Sequence, residues 1–243
     1  MQYQKEEGTL SSTLLRPALA GFTTVAVGDC RKLETIQAYL KDQEIPYTKL
    51  VILEQIHSIN IHTTNPLHVG VVEPLDECDG VVTAEKGVVL TIRTADCVPI
   101  MYYDPVAGVI GASHQGWRGT AKNMVKHMIA QMVAQGAHPE NILIAIGPAI
   151  GMCCYTVDSD RYVLFMEEME RFEKLIFKPH GDEFHLNLLR LNYELALENG
   201  ISPTHIDWAP TCTSCDSKRF FSYRRHKKTG EPFAEMMGYI VMK

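Results

Sequence analysis

Cys97 and His114 are the residues around which chemistry can be built. Each stands at a break in an apolar run, in Thr94-Ala95-Asp96-Cys97-Val98-Pro99 and in Ser113-His114-Gln115-Gly116-Trp117-Arg118-Gly119. Such breaks mark strand ends, where a rigid scaffold can hold a reactive side chain. His57 closes an earlier apolar run, residues 50–56. Thiolate and imidazole are good zinc ligands, and three protein ligands leave a fourth position for water or substrate. The same pair also suits nucleophilic catalysis, with Cys97 attacking an acyl carbon and His114 acting as base. Spacing does not separate the two readings. None of the short zinc signatures applies, and ten His and seven Cys offer many triples.

Other residue types bear on an anion or a base. Arg118 lies beside a predicted helix start, where backbone N–H groups favour an anion, and Gly116 and Gly119 allow close backbone approach. The plain alternative pairs Arg118 with a structural carboxylate. Phe220-Phe221-Ser222-Tyr223-Arg224-Arg225 places aromatics before two cations, which suits either a base-stacking wall or an ordinary edge strand. Cys212-Thr213-Ser214-Cys215 is the only C-x-x-C, and Cys153 and Cys154 are adjacent rather than spaced as a second one. Neither a four-Cys zinc ribbon nor a redox dithiol is therefore expected, and Cys212 reads as a small packed residue. The remaining His, His68 among them, show no grouping and read as surface residues.

The elements that must position these groups follow from apolar periodicity. Strands are predicted over residues 22–27, 50–56 and 59–63, with a loop over 64–77. Residues 81–83 and 88–92 read as a pair joined across Glu85-Lys86-Gly87, and 98–103 and 109–113 as another pair. Helices are predicted after caps at Asp29, Thr120 and Asp158 and over residues 186–197, with Gly136 and Gly200 as stops. Further strands are expected over 142–146, 206–209, 220–223 and 238–242, after an extended lead-in over 1–20. Strands joined by short turns and interleaved with helices indicate an α/β chain of the α+β type: layered mixed sheets flanked by helices.

Composition bounds the classes. The chain of 243 residues can bury a full-sized core and is read as a single domain, 1–243. Apolar residues make up 46% and charged residues 21%, which excludes disorder. A net charge of −6 argues against nucleic acid or an anionic membrane as partner. No apolar run reaches the ~18 residues of a spanning helix, and Lys5, Glu6, Glu7 and Arg16 break any signal peptide. The odd number of Cys suggests a reducing cytoplasm.

Five blocks recur in order: Leu53-Glu54-Gln55-Ile56-His57, Thr94-Ala95-Asp96-Cys97-Val98-Pro99, Ser113-His114-Gln115-Gly116-Trp117-Arg118-Gly119, Ile146-Gly147-Pro148-Ala149-Ile150-Gly151 and Phe220-Phe221-Ser222-Tyr223-Arg224-Arg225. In this the chain resembles the laccase-domain family, the YfiH/YlmD group. That family was once called multicopper polyphenol oxidases and is now described as purine nucleoside phosphorylases with adenosine deaminase activity. The resemblance implies the layered fold of YfiH and of the cytotoxic necrotising factor deamidase domain. It implies zinc, with copper as the alternative ion, on His57, Cys97 and His114. It implies purine nucleosides and phosphate as substrates, in a monomer or homodimer. Asp96 and Asp79 are then candidates for proton transfer. Arg118, Arg93 and Arg224 are candidates for phosphate, and Tyr223 for stacking on a base. A Cys–His amide hydrolase editing cell-wall precursors is the main rival, with a copper phenol oxidase and a non-catalytic partner behind it. The chain departs from the family at Ser58, where Gly is usual, at Gln115, where Ala is frequent, and at Thr156, where Glu is common. It also lacks the family's Gly-Gly-Val-Ser and Ser-Leu-Asn-Leu-Gly segments after the first strand.

Overall fold

A computed structural model describes residues 1–4, 8–64 and 71–243. Lys5, Glu6, Glu7, Pro66, His68 and Gly70 lie outside the described residues. The chain opens with β1 (Gln2–Gln4), β2 (Thr9–Ser11) and β3 (Leu19–Thr23), then α1 (Leu33–Asp42) and β4 (Lys49–Leu53). There follow β5 (Ile61–Thr63), β6 (Val72–Leu75), β7 (Gly80–Thr83), β8 (Val88–Thr94), β9 (Val98–Asp104) and β10 (Val109–Gln115). Next come α2 (Trp117–Ala121), α3 (Met124–Ala134), β11 (Leu143–Ile146), β12 (Thr156–Val157), α4 (Ser159–Met169) and α5 (Glu173–Ile176). The chain closes with β13 (Phe177–His180), β14 (Glu183–Leu186), α6 (Leu188–Glu198), β15 (Ile206–Trp208), α7 (Tyr223–Thr229) and β16 (Met236–Val241).

The strands form a seven-stranded sheet, order β1-β2-β3-β16-β8-β4-β6, a six-stranded sheet, order β15-β11-β9-β10-β7-β5, and a small sheet, β12-β14-β13. The two large sheets pack face to face because their strands are apolar on both faces. On β9, Met101 and Tyr103 turn toward Leu90 and Ile92 of the other sheet. Ile100 and Tyr102, on the opposite face, meet Met124, Met128 and Met132 of α3 and Leu191 and Leu195 of α6. On the outer side of the seven-stranded sheet, Ile36, Tyr39 and Leu40 of α1 cover Leu50, Val89 and Tyr239. The result is helix, sheet, sheet, helix: the mixed, layered α/β arrangement that the sequence predicts. Among the described residues no helix is long and apolar enough to cross a membrane.

Several local expectations are corrected. The lead-in contributes strands β1, β2 and part of β3, and the predicted loop 64–77 contains β6. Strands β7 and β8 do not pair with each other. β7 pairs with β10 and β5 and β8 pairs with β16 and β4, so the chain passes from one sheet to the other between them. Both strands are buried on two faces, so periodicity carried no information about their partner. Asp29 does not cap α1. It binds Arg31 and the Glu235 N–H instead, and α1 starts after Lys32 with no side-chain cap. Thr120 lies inside α2, and Asn123, in a left-handed conformation, caps α3 by accepting from the Lys126 N–H. Asp158 caps α4 as expected. Residues 220–223 are not a strand: Ser222 Oγ accepts from the Arg225 N–H and starts helix α7.

Candidate active site

The hairpin β9–β10 is the base of the site. Its register sets Gln115 against Val98 and Ser113 against Ile100, so His114 and Cys97 emerge at the same end. β7 lies on the other side of β10, with Gly80 opposite Ser113, which brings Asp79 beside His114. The Asp79 carbonyl accepts the His114 N–H at 2.7 Å, and Asp79 Oδ1 lies 2.7 Å from His114 Nδ1. Asp79 is fully buried. Burial raises its pKa, but His114 and Ser58 outweigh burial and leave its carboxyl below the ordinary range.

The same carboxylate shapes the turn that carries His57. It accepts the backbone N–H groups of Ile56, His57 and Ser58 at 3.2, 3.0 and 2.6 Å, and the Ser58 hydroxyl at 2.8 Å. These bonds hold His57 at φ +62°, a left-handed conformation that an L-residue adopts only with support. Ser58, a departure from the family, thus adds a donor that Gly could not offer. Gln115, another departure, is buried and donates to the Tyr102 hydroxyl and Ser113 Oγ.

The three ligand atoms of His57, Cys97 and His114 lie within 4.8 Å of one another. Cys97 Sγ is 3.9 Å from His57 Nε2, and the two imidazoles meet edge to face at 4.8 Å between centroids. Tetrahedral zinc, with bonds of about 2.3 Å to sulfur and 2.0–2.1 Å to nitrogen, sets S and N about 3.6 Å apart. Asp79 occupies His114 Nδ1 and so leaves Nε2 for an ion, the carboxylate–histidine–metal arrangement. The donor set therefore fits zinc. Burial raises the Cys97 thiol pKa, but the neighbouring His114 and His57 outweigh it and lower the thiol below its usual range.

Gly116 closes the ligand set from below. A Cβ there would lie 2.8 Å from His57 Cδ2 and 3.2 Å from Cys97 Sγ. If the cluster holds zinc, Gly116→Ala is expected to weaken its binding about tenfold or more by displacing His57 and Cys97, with α2 and the hairpin retained. Zinc competition against a chromophoric chelator, with circular dichroism alongside, measures both.

A cavity of about 540 Å³ opens over this cluster, within the range of small-molecule sites. Of the residues predicted from sequence, His57, Cys97, His114, Asp96, Arg93, Arg118, Tyr223 and Arg224 line it. Asp79 does not, so it positions His114 and His57 and does not reach the cavity. Asp96 sits at φ +96°, and its carboxylate accepts Thr213 Oγ1, Ser222 Oγ and the Arg224 N–H at 2.6, 2.9 and 2.7 Å. Arg224 directs Nη1 and Nη2 to Cys154 O, Thr156 Oγ1 and Thr156 O. At the departure from the family's Glu, Thr156 is thus a neutral acceptor for that guanidinium. Arg93 donates Nη2 to Leu53 O, and its backbone is clamped by Gln55, which accepts the Arg93 N–H and donates to its carbonyl.

Three further wall residues come from segments that no local pattern joins to the cluster. Arg161, in the first turn of α4, stacks on the Trp117 ring at 4.5 Å, the same distance as Arg118. Arg161 Nε is buried with no hydrogen-bond partner, and neither guanidinium has a carboxylate partner among the described residues. Phe233 meets Tyr223 edge to face at 5.6 Å. Glu235 holds a long ion pair, 4.0 Å, with Arg93 Nε.

The model of the family described as multi-copper polyphenol oxidoreductase laccase matches residues 24–243. A purine nucleoside phosphorylase, YlmD of Geobacillus stearothermophilus, is 36% identical over 192 residues, which are 76% of this chain and 70% of that protein. Adenosine deaminase RL5, from an unknown prokaryotic organism, is 32% identical over 152 residues, 62% of this chain and 58% of that protein, under two thirds of its length. The crystal structure of Bacillus licheniformis hypothetical protein YfiH superposes with a TM-score of 0.86 at 28% identity, covering 98% of this chain and 97% of that one.

Proposed function

This chain belongs to the multi-copper polyphenol oxidoreductase laccase family, and on that premise we propose that it is a zinc-dependent purine nucleoside phosphorylase that also deaminates adenosine. The observation that carries the proposal is the His57–Cys97–His114 cluster, locked by Asp79, on the wall of a nucleoside-sized cavity. Relatives named for phosphorolysis and for adenosine deamination point to the same pair of reactions.

His57, Cys97 and His114 would hold the zinc, which when bound supplies Lewis acidity. Phosphorolysis breaks the bond from C1′ of ribose to N9 of the purine and forms one from C1′ to a phosphate oxygen. It yields the free base and ribose 1-phosphate. Arg118 and Arg161 are assigned the phosphate, since neither has a carboxylate partner among the described residues, whereas Arg93 faces Glu235 and donates to Leu53 O, and Arg224 donates to Cys154 O, Thr156 Oγ1 and Thr156 O. Tyr223 and Phe233 offer ring faces and edges to the base. Glu235 is assigned the proton transfer. It lies on the cavity wall, and the carboxylate of Asp96 is filled by three donors.

The test is a product scan. Inosine should give hypoxanthine only with phosphate present, and adenosine should give inosine and ammonia with or without it. No product from any purine nucleoside, with zinc bound, would defeat the proposal. Turnover of amide substrates by metal-free protein, blocked by alkylation of Cys97, would favour the Cys–His hydrolase, for which the lowered Cys97 thiol also speaks.

The arginines give a separate expectation. Losing the charge-assisted hydrogen bonds of one guanidinium costs about 1.5–3 kcal/mol, so Arg161→Ala should raise KM for phosphate about 10- to 100-fold. KM for the nucleoside and the zinc content should stay near those of the unmodified protein. Initial rates across phosphate concentrations check this, and an unchanged phosphate KM would remove Arg161 from the anion site.

A further inference from the structure

The only C-x-x-C of the chain does not stand alone. The fold sets Cys212 and Cys215 against the adjacent pair Cys153-Cys154, and the four sulfur atoms lie within 4.8 Å of one another. Cys215 Sγ is 3.4 Å from Cys153 Sγ and 3.3 Å from Cys154 Sγ. A disulfide requires about 2.05 Å, and all four are free thiols. Tetrahedral zinc at about 2.3 Å from each sulfur sets the sulfurs about 3.8 Å apart, within about 0.5 Å of these two contacts, so a small outward shift of Cys215 would admit the ion. Cys153 and Cys215 are exposed, whereas free Cys is among the most buried of residue types. Four thiols meeting at a surface therefore need a reason other than packing.

The surroundings are built for a tetrathiolate. Two tight turns carry the sulfurs. In one, the Cys154 N–H reaches Gly151 O at 3.0 Å, and in the other the Asp216 N–H reaches Cys212 O at 3.1 Å. A bridge between Ala149 and Cys212 ties the turns together. Arg225 Nη1 donates to Thr213 O and Ser214 O, the two residues between Cys212 and Cys215, at 2.9 and 3.1 Å. Arg224 Nη1 donates to Cys154 O at 3.0 Å. A zinc held by four thiolates carries a net charge of −2, and two guanidiniums bonded to the ligand turns offset it. At Gly151 a Cβ would lie 3.0 Å from Cys212 Cβ and 3.3 Å from Cys153 Sγ, so only Gly leaves the cluster its room.

We propose that Cys153, Cys154, Cys212 and Cys215 form a second, structural zinc site, distinct from the His57–Cys97–His114 cluster. Binding replaces four thiol protons with one zinc ion and releases the protons to solvent. The site has four protein ligands and no open position, so it holds structure and performs no chemistry. Its consequence for the cavity runs through Thr213, which lies between two of its ligands and donates Oγ1 to Asp96 at 2.6 Å. The ion thus fixes the turn that orients the neighbour of Cys97.

Elemental analysis of protein purified without added metal should give two zinc ions per chain. Cys212→Ser/Cys215→Ser should lose one and Cys97→Ala the other. If only the first cluster binds, the wild type holds one zinc, and Cys97→Ala alone removes it. If only the second binds, the double Ser variant alone removes it. The two proposals therefore fail separately. Should the double variant not fold, the wild type and Cys97→Ala decide: two zinc ions falling to one supports the second site, and one falling to none overturns it. Alkylation with iodoacetamide and peptide mapping should show exposed Cys153 and Cys215 protected until a chelator is added. Immediate alkylation of both, a disulfide among the four, or zinc content untouched by the double substitution would overturn the site.

Discussion

On the proposed function, Cys97→Ala is expected to lower turnover of both inosine and adenosine by on the order of 10³-fold, the equivalent of about 4 kcal/mol of transition-state stabilisation. The expectation rests on the donor set. Cys97 contributes the single sulfur to the His57–Cys97–His114 cluster, 3.9 Å from His57 Nε2, and without it two imidazoles remain for an ion that needs three anchors. The substitution removes a half-buried thiol at a strand end, so the hairpin β9–β10 and its register should persist. Circular dichroism and a thermal melt check the fold, elemental analysis checks the loss of one zinc, and steady-state rates check turnover. A variant with full zinc content and full activity would exclude Cys97 from the metal site. One without zinc but fully active would separate the metal from the chemistry.

Asp79→Ala is expected to do damage of a different kind. Its carboxylate is fully buried and receives three backbone N–H groups, the Ser58 hydroxyl and His114 Nδ1. Removing it leaves those donors without a partner inside the protein, at a cost of about 3–5 kcal/mol. Asp79→Asn keeps one acceptor oxygen but turns its amide NH2 toward donors that the second carboxylate oxygen accepted, so it should lose part of the stability, less than Asp79→Ala, while metal affinity falls about 10- to 100-fold. Denaturant unfolding separates the two variants, and zinc competition measures the affinity. The carboxyl of Asp79 titrates below its ordinary range in the folded chain. Its contribution to stability is therefore complete above the unfolded pKa of about 4 and is lost as the pH falls from there through the folded value. In Asp79→Asn this part of the acid limb should vanish.

The convergence of His57, Cys97 and His114 could be read early because these residues announce strand ends. Cys97 precedes and His114 follows the two apolar runs of one hairpin, and His57 closes an apolar run of its own. What the sequence hid was pairing at long range. Strands β7 and β8 follow each other after a short turn yet join different sheets, since strands buried on both faces carry no alternation to show which neighbour they prefer. Arg161, Phe233 and Glu235 reach the cavity from helix α4 and from the segment before β16, and no local pattern ties them to residues 94–118. The same holds for the thiols. Cys153-Cys154 and Cys212–Cys215 look unrelated by spacing, and the parallel pairing of β11 with β15, extended by the bridge from Ala149 to Cys212, puts them together. At residues 220–223 the aromatic run suggested a strand, but a single hydroxyl, that of Ser222, turned the chain into a helix.

The site is assembled from both large sheets. His57 follows β4 of the seven-stranded sheet, His114 lies on β10 of the six-stranded sheet, and Cys97 stands in the bend where the chain crosses from β8 to β9. An ion shared by these three would act as a rivet through two stacked plates. Sliding one plate against the other would open the ligand angles before it disturbed either sheet, so the ion resists shear between layers that apolar packing, being non-directional, resists poorly. With an ion bound, the proposed reactive centre would also be a mechanical fastener, and substitutions far away in the intersheet core would alter reactivity by shifting the seam while touching nothing in the cavity.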